Sequence, residues 1–164
     1  MVVMEPVTRT RRRVLLSTVS SDSHTWNLVY LQLWLQEQGC EVVNLGPCVP
    51  VQLLVETAAA VRPDLVVISS VNGHGHIDGL KAITALRADV RSRAVPAVIG
   101  GKLGIHGAAD SDRSSALVDA GYDAVFWDSS TAESGLRDFL ERLVPVPELP
   151  ALSELPVLVG GSAA

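Results

Sequence analysis

Short apolar runs alternate with segments of helical period through most of the chain. Val14, Leu15, Leu16 and Val19 predict a buried strand over 14–19, and a polar loop follows from Ser20 to Thr25. Leu28, Leu31 and Leu35 fall on one helical face, which predicts a helix over 28–38 that stops at Gly39. A second strand is expected over 41–45, broken by Gly46 and Pro47, then a helix over 51–61 and the breaker Pro63. A third strand, over 65–68, is apolar on both faces, and a loop rich in Gly and His fills 69–76. The pattern continues with a helix over 77–90 and a strand over 97–99 that runs into Gly100-Gly101. A helix over 111–120 closed by Gly121, a strand over 124–127 and a helix over 132–143 complete it.

The strands are continuous apolar runs rather than alternating ones, as expected of a parallel sheet covered on both faces. Five β-α units with short connections predict an α/β fold: a doubly wound, flavodoxin-like or Rossmann-like five-stranded parallel sheet, order 2-1-3-4-5. An irregular leader is expected over 1–12 and the sheet domain over 13–143. From Val144 onward Pro145, Pro147, Pro150 and Pro156 punctuate an extension over 144–164 that ends in Gly160-Gly161-Ser162, where a partner can dock.

Composition narrows the function. The 164 residues suit one domain with its own core. Apolar residues at 48% exclude a disordered chain, and a formal charge of −5 gives no electrostatic footprint for nucleic acid or anionic membrane. Aromatics at 4% leave almost no stacking platform for single strands. Cys40 and Cys48 flank the second predicted strand, roughly 26 Å apart if extended at ~3.3 Å per residue. A disulfide needs Cα atoms within about 7 Å, so two free thiols and a reducing cytoplasm are expected. Arg9 and Arg11 to Arg13 ahead of Val14-Leu15-Leu16 imitate a signal peptide, but Ser17, Thr18, Ser20 and Asp22 break the apolar stretch. No run of 18 apolar residues offers a membrane span.

In an open α/β sheet, ligands bind beyond the carboxyl ends of the strands. The loops there carry all four histidines: His24 after the first strand, His74 and His76 after the third, His106 after the fourth. None falls in a predicted strand or helix. In Asp22-x-His24 the carboxylate can accept the imidazole N–H and make the other ring nitrogen a better metal ligand. The same Asp22 can also simply cap the next helix. His74-x-His76 offers two zinc ligands, or a solvated loop in which Gly73 and Gly75 allow close backbone approach. Gly100-Gly101 reads as a tight turn or as a gap for a flat ring. Lys102 is the one basic residue in these loops. Neither Gly-x-Gly-x-x-Gly nor Walker A is present, so dinucleotides and ATP are poor candidates. Ser20, Ser21, Ser23 and Thr25 partly supply the hydroxyl-rich phosphate loop of a flavin mononucleotide site.

Taken together, Asp22-Ser23-His24, Ser69-Ser70-Val71 and Gly100-Gly101 resemble the signature Asp-x-His-x-x-Gly … Ser-x-Leu … Gly-Gly of cobalamin-binding proteins. Residues 42–46 and 69–78 are similar to the small (sigma) subunits of glutamate mutase, also called methylaspartate mutase, and the likeness runs from about Arg13 to Leu143. The resemblance implies the B12-binding version of the sheet fold. It implies that His24 replaces the cofactor's own dimethylbenzimidazole as axial cobalt ligand, oriented by Asp22. Ser21, Ser23 and Thr25 would then line the corrin floor, and Ser69, Ser70 and Val71 the displaced nucleotide tail. Gly73 would let the backbone come close, and Gly100, Gly101, Lys102, Leu103, Gly104 and Ile105 would flank the buried base.

The implied function is that of an adenosylcobalamin-binding subunit of a carbon-skeleton isomerase. Cobalt–carbon homolysis yields a 5′-deoxyadenosyl radical, and L-glutamate is interconverted with L-threo-3-methylaspartate or a related amino acid is rearranged. A separate large barrel subunit would bind the amino-acid substrate in a heterotetramer-like assembly, leaving this chain inactive alone. Two departures bear on the site. The motif glycine is Asn27, which tolerates left-handed dihedrals but adds a side chain at the mouth of the tail slot, and Val71 replaces leucine. Trp26 adds bulk beside the histidine, and His74 and His76 bring possible hydrogen bonds to the corrin amides. Three rivals stand beside this reading: a corrinoid carrier of a methyltransferase system, a zinc hydrolase on His24, His74 and His76, and an interaction domain without cofactor. The carrier usually has a helical cap before the sheet, for which residues 1–11 are too short.

Overall fold

Residues that are apolar on both faces of a strand need cover on both sides, and the chain supplies it by sending its helices alternately across one sheet. The computed structural model describes residues 11–104, 110–127 and 130–143. The element order is β1 (Arg13–Ser17), α1 (Trp26–Glu37), β2 (Glu41–Asn44), α2 (Val51–Val61) and β3 (Leu65–Ser70). It continues with α3 (Gly75–Ala88), β4 (Ala97–Gly101), α4 (Asp110–Ala120), β5 (Ala124–Trp127) and α5 (Ala132–Arg142). All pairings are parallel, in the order β2-β1-β3-β4-β5. This is the flavodoxin-like sheet the pattern predicts.

Two buried clusters lie on the two faces. Val14, Leu16, Val67 and Val98 turn toward Leu28 and Leu35 of α1 and Leu136 and Leu140 of α5. Leu15, Val66, Ile68 and Ile99 turn the other way, toward Leu54 of α2, Ile83 and Leu86 of α3 and Leu117 of α4. The alternation follows from the period of two along each strand. Because α1 leaves β1 toward one face and α3 leaves β3 toward the other, the carboxyl ends of β1 and β3 form the topological switch point.

The structure adjusts several boundaries. β3 continues two residues past 68, because Ser69 and Ser70 pair in register with Gly100 and Gly101 of β4. α1 begins at Trp26, ahead of the first apolar-periodic residue. α3 begins at Gly75, where His74 caps the helix and its carbonyl accepts the N–H groups of Ile77 and Asp78 at 3.1 and 3.2 Å. His76 therefore lies in the first turn of a helix, which corrects the expectation that no histidine sits in a regular element. Cys40 is buried, Cys48 is exposed, and both are free. No helix among the described residues is long and apolar enough to cross a membrane. The expectations for the leader over 1–10, for Ile105 and His106 and for the Pro-rich extension fall outside the described residues.

Candidate functional site

The switch point is organised around Asp22, which is fully buried in the β1–α1 loop. One carboxylate oxygen accepts the His24 backbone N–H at 3.0 Å and faces His24 Nδ1 at 2.7 Å. The other accepts the Val71 N–H at 2.7 Å and the Ser70 hydroxyl at 3.0 Å. Burial alone raises the Asp22 pKa. The donors from Val71, His24 and Ser70 outweigh it and hold the carboxyl below its ordinary value. An ionised carboxylate only accepts, so the proton of the neutral imidazole sits on Nδ1 and the Nε2 lone pair is left open. The His24 side chain is 47% exposed, which leaves that nitrogen able to meet a ligand. This is the donor set of a metal-bound histidine with a carboxylate behind it. The Asp22 carbonyl also accepts the Cys48 N–H at 2.8 Å, which ties the loop to the start of the α2 connection.

A second network pins the same loop to α3. The Ser21 hydroxyl donates to Asp78 and accepts from the Asn72 amide at 3.0 Å, and Asp78 also pairs with Lys81 at 2.9 Å. The Ser21 hydrogen bond is the chief cause of a lowered Asp78 pKa. The His76 N–H donates to the Leu103 carbonyl at 3.0 Å, and His76 Nδ1 lies 3.1 Å from the same oxygen. That contact commits one His76 ring nitrogen to the backbone. Among the described residues no group of three His, Cys, Asp or Glu side chains is placed to hold a metal ion, so the three-histidine zinc arrangement is not assembled.

Beside this loop a cleft of about 220 Å³ opens between α1 and α5, over the carboxyl halves of β3 and β4. It is smaller than the roughly 300–1,000 Å³ of a site for a whole drug-sized ligand. It therefore suits one ring system of a larger molecule. Ser69, Val71, Gly100 and Gly101 line its floor; Trp26, Asn27, Tyr30 and Trp34 line the α1 wall. Tyr30 hydrogen-bonds Glu133 of α5 across the cleft. Asn27 is buried, donates from Nδ2 to the Ser69 hydroxyl at 2.9 Å, and has no partner for its Oδ1 among the described residues. An apolar slot, an aromatic wall that carries one unanswered amide oxygen, and an adjacent carboxylate-backed imidazole are a donor set that fits a cobalamin.

The predicted residues thus divide. Asp22, His24, Ser70 and Val71 form one hydrogen-bonded unit, and Ser21, Ser23 and Thr25 are exposed on the loop around His24. Asn27, Ser69, Val71, Gly100 and Gly101 meet at the cleft. Gly73 has φ +81° and donates to the Lys102 carbonyl at 3.2 Å, so it shapes the loop. Lys102 is exposed, and Leu103 is buried in the core of the opposite face, where a Cβ on Gly75 would meet its Cδ2 at 2.7 Å. Gly104 lies against the Arg113 guanidinium and the Trp127 ring. Gly101 is dictated by the sheet itself: its φ is +102°, and a Cβ there would strike the Ser70 carbonyl. Sequence reasoning missed the aromatic wall of Tyr30, Trp34 and Phe126, and Glu133 opposite it. The available signal was α1 itself, which is apolar all round, with Trp26, Val29, Tyr30 and Leu33 outward and Leu28 and Leu35 inward.

Comparison with known proteins bears out the resemblance. The glutamate mutase sigma subunit of Clostridium cochlearium is 24% identical over 133 residues, spanning 81% of this chain and 96% of that protein. Glutamate mutase sigma subunit 1 of Haloarcula marismortui is 29% identical over 135 residues, 80% of this chain and 86% of that protein. Among solved structures, a cobalamin-binding protein from Desulfitobacterium hafniense superposes with a TM-score of 0.64 at 24% identity, covering 80% of this chain and 59% of that one, a likeness of fold. The B12 binding domain family matches residues 12–137, which include the Asp22–His24 loop and the whole cleft. The chain belongs to the B12-binding domain family.

Proposed function

We propose that the chain is the adenosylcobalamin-binding small subunit of a glutamate mutase-type isomerase. The observation that carries the reading is the Asp22–His24 pair: a buried carboxylate fixes one ring nitrogen and leaves the other open, in the loop that leads to the cleft. When bound, adenosylcobalamin supplies a carbon radical through cobalt–carbon homolysis. His24 would hold cobalt through its open ring nitrogen, with Asp22 setting the ring's tautomer and aim. Ser21, Ser23 and Thr25 support the corrin floor. Ser69 and Val71 would face the nucleotide tail, and Gly100 and Gly101, where a Cβ would strike Phe126 and Ser70 of the neighbouring strands, let β4 pair closely beneath the cleft. Ser21 and Asn72, braced by Asp78, hold the His24 loop at a fixed distance from α3.

The sigma subunit names of the relatives support a partner. We assign the amino-acid substrate to a large barrel subunit seated over the carboxyl ends of the strands in a heterotetramer-like assembly, in the cytoplasm. Seated there, the barrel would exclude water from the cofactor's upper face. Mixed with a glutamate mutase large subunit, adenosylcobalamin and L-glutamate, the chain is expected to give 3-methylaspartate, with none formed when either protein is omitted. Product without the large subunit, or transfer of a methyl group from methylcobalamin to a thiol in place of rearrangement, contradicts the proposal.

A further inference from the structure

Asn27 occupies the position of the motif glycine, and the residue is 4% exposed. It donates from Nδ2 to the Ser69 hydroxyl, and both residues line the cleft. Its Oδ1 is buried with no partner among the described residues. A buried amide oxygen loses its water and regains nothing in the free protein, a cost normally offset by a bound donor.

We infer that Asn27 is a positioning residue for the nucleotide tail: through Ser69 it selects a base with an unprotonated ring nitrogen, and through Oδ1 it takes a sugar hydroxyl. This rests on the reading proposed above. Once a histidine replaces the base at cobalt, the base carries a bare acceptor nitrogen into an apolar slot, and that nitrogen needs a donor. Ser69 is the hydroxyl at the cleft floor. By donating to its oxygen, Asn27 occupies a Ser69 lone pair and leaves the O–H to point elsewhere. A hydroxyl that already accepts a hydrogen bond donates a stronger one. The free Oδ1 then answers a donor, and the nucleotide's ribose carries one. A glycine at this position leaves Ser69 free to turn its proton anywhere and offers no acceptor.

The test compares binding of cobalamin with that of cobinamide, which has the corrin but no nucleotide, by equilibrium dialysis against wild type, Asn27→Ala and Asn27→Asp. Aspartate keeps the shape but has no N–H for Ser69. Wild type is expected to prefer cobalamin. Each variant is expected to lose about tenfold in cobalamin affinity, the scale of one buried hydrogen bond, with cobinamide affinity unchanged. Variants that bind cobalamin as tightly as wild type or tighter would make Asn27 an obstruction and overturn the inference. Equal losses for both corrinoids would reduce it to a fold effect and overturn it too. Failure of wild type to bind either corrinoid overturns instead the cobalamin reading beneath it.

Discussion

Replacing Asp22 with alanine is expected to lower the stability of the free chain by about 3 kcal/mol and its cobalamin affinity by roughly 10–100-fold. The carboxylate is wholly buried and accepts from four donors, two on His24 in its own loop and two at the end of β3. Removing it strands the part-buried Val71 N–H at a cost of about 1–3 kcal/mol and leaves Asn72 Oδ1, 3.1 Å away, as the acceptor for the Ser70 hydroxyl. It also frees the His24 ring to rotate and change tautomer, which is the source of the affinity loss. The Asp22→Asn variant keeps the volume but converts one acceptor into a donor, so a smaller loss is expected. The pH dependence separates charge from shape. The folded pKa of Asp22 lies below its unfolded value, so the carboxylate stabilises the fold above about pH 4 and the benefit fades as pH falls through the folded pKa. Thermal melts followed from neutral pH into the acid range are expected to steepen at the acid end for wild type and to flatten there for Asp22→Asn. Wild-type and Asp22→Asn profiles that run parallel would mean that Asp22 is not the ionised centre of this loop.

Gly101→Ala is expected to cost about 3 kcal/mol or more, although it adds a single methyl. Two independent constraints meet at this residue. Its φ of +102° is a conformation that side-chain-bearing residues rarely adopt, and the added Cβ would strike the Ser70 carbonyl on the paired strand. Neither can relax without moving Ser70, whose hydroxyl is bonded to Asp22. The loss is therefore expected in cobalamin affinity as well as in Tm. Gly46→Ala is the control: φ there is +79° but nothing lies within 4 Å of the added Cβ, so only the backbone cost of about 1–2 kcal/mol is expected. Equal losses at the two positions would mean that the Ser70 contact yields freely.

Most of the fold was legible because apolar runs as short as 65–68 have few alternatives to a buried parallel strand. Strand order followed from five β-α units with short connections, which suit the flavodoxin-like winding. What escaped the pattern lay at the carboxyl ends. Ser69-Ser70 and Gly100-Gly101 read as loop because they are polar or small, yet pairing carries both strands through them. That shift matters to the site: it places the Ser70 hydroxyl and the Val71 N–H opposite Asp22. The Asp22–His24 pair was visible as spacing, but its second half, the reach of Asp22 to β3, is a tertiary contact across 48 and 49 residues of chain. The outward apolar residues of α1 signalled a covered face, but which of them turn to the cleft depends on how α1 packs beside α5, and Phe126 joins them from β5. Asn27 was seen as a departure from the family motif; its bond to Ser69 depends on the register of α1 over β3.

The most direct test of the central claim is the electron paramagnetic resonance spectrum of cob(II)alamin in the presence of excess protein, natural-abundance against ¹⁵N-histidine-labelled. One axial nitrogen splits each cobalt line into three if it is ¹⁴N and into two if it is ¹⁵N. The account predicts triplets that become doublets on labelling, and loss of the doublets in His24→Ala. Triplets that persist with the labelled protein would mean that cobalamin keeps its own base, and would contradict His24 as the cobalt ligand.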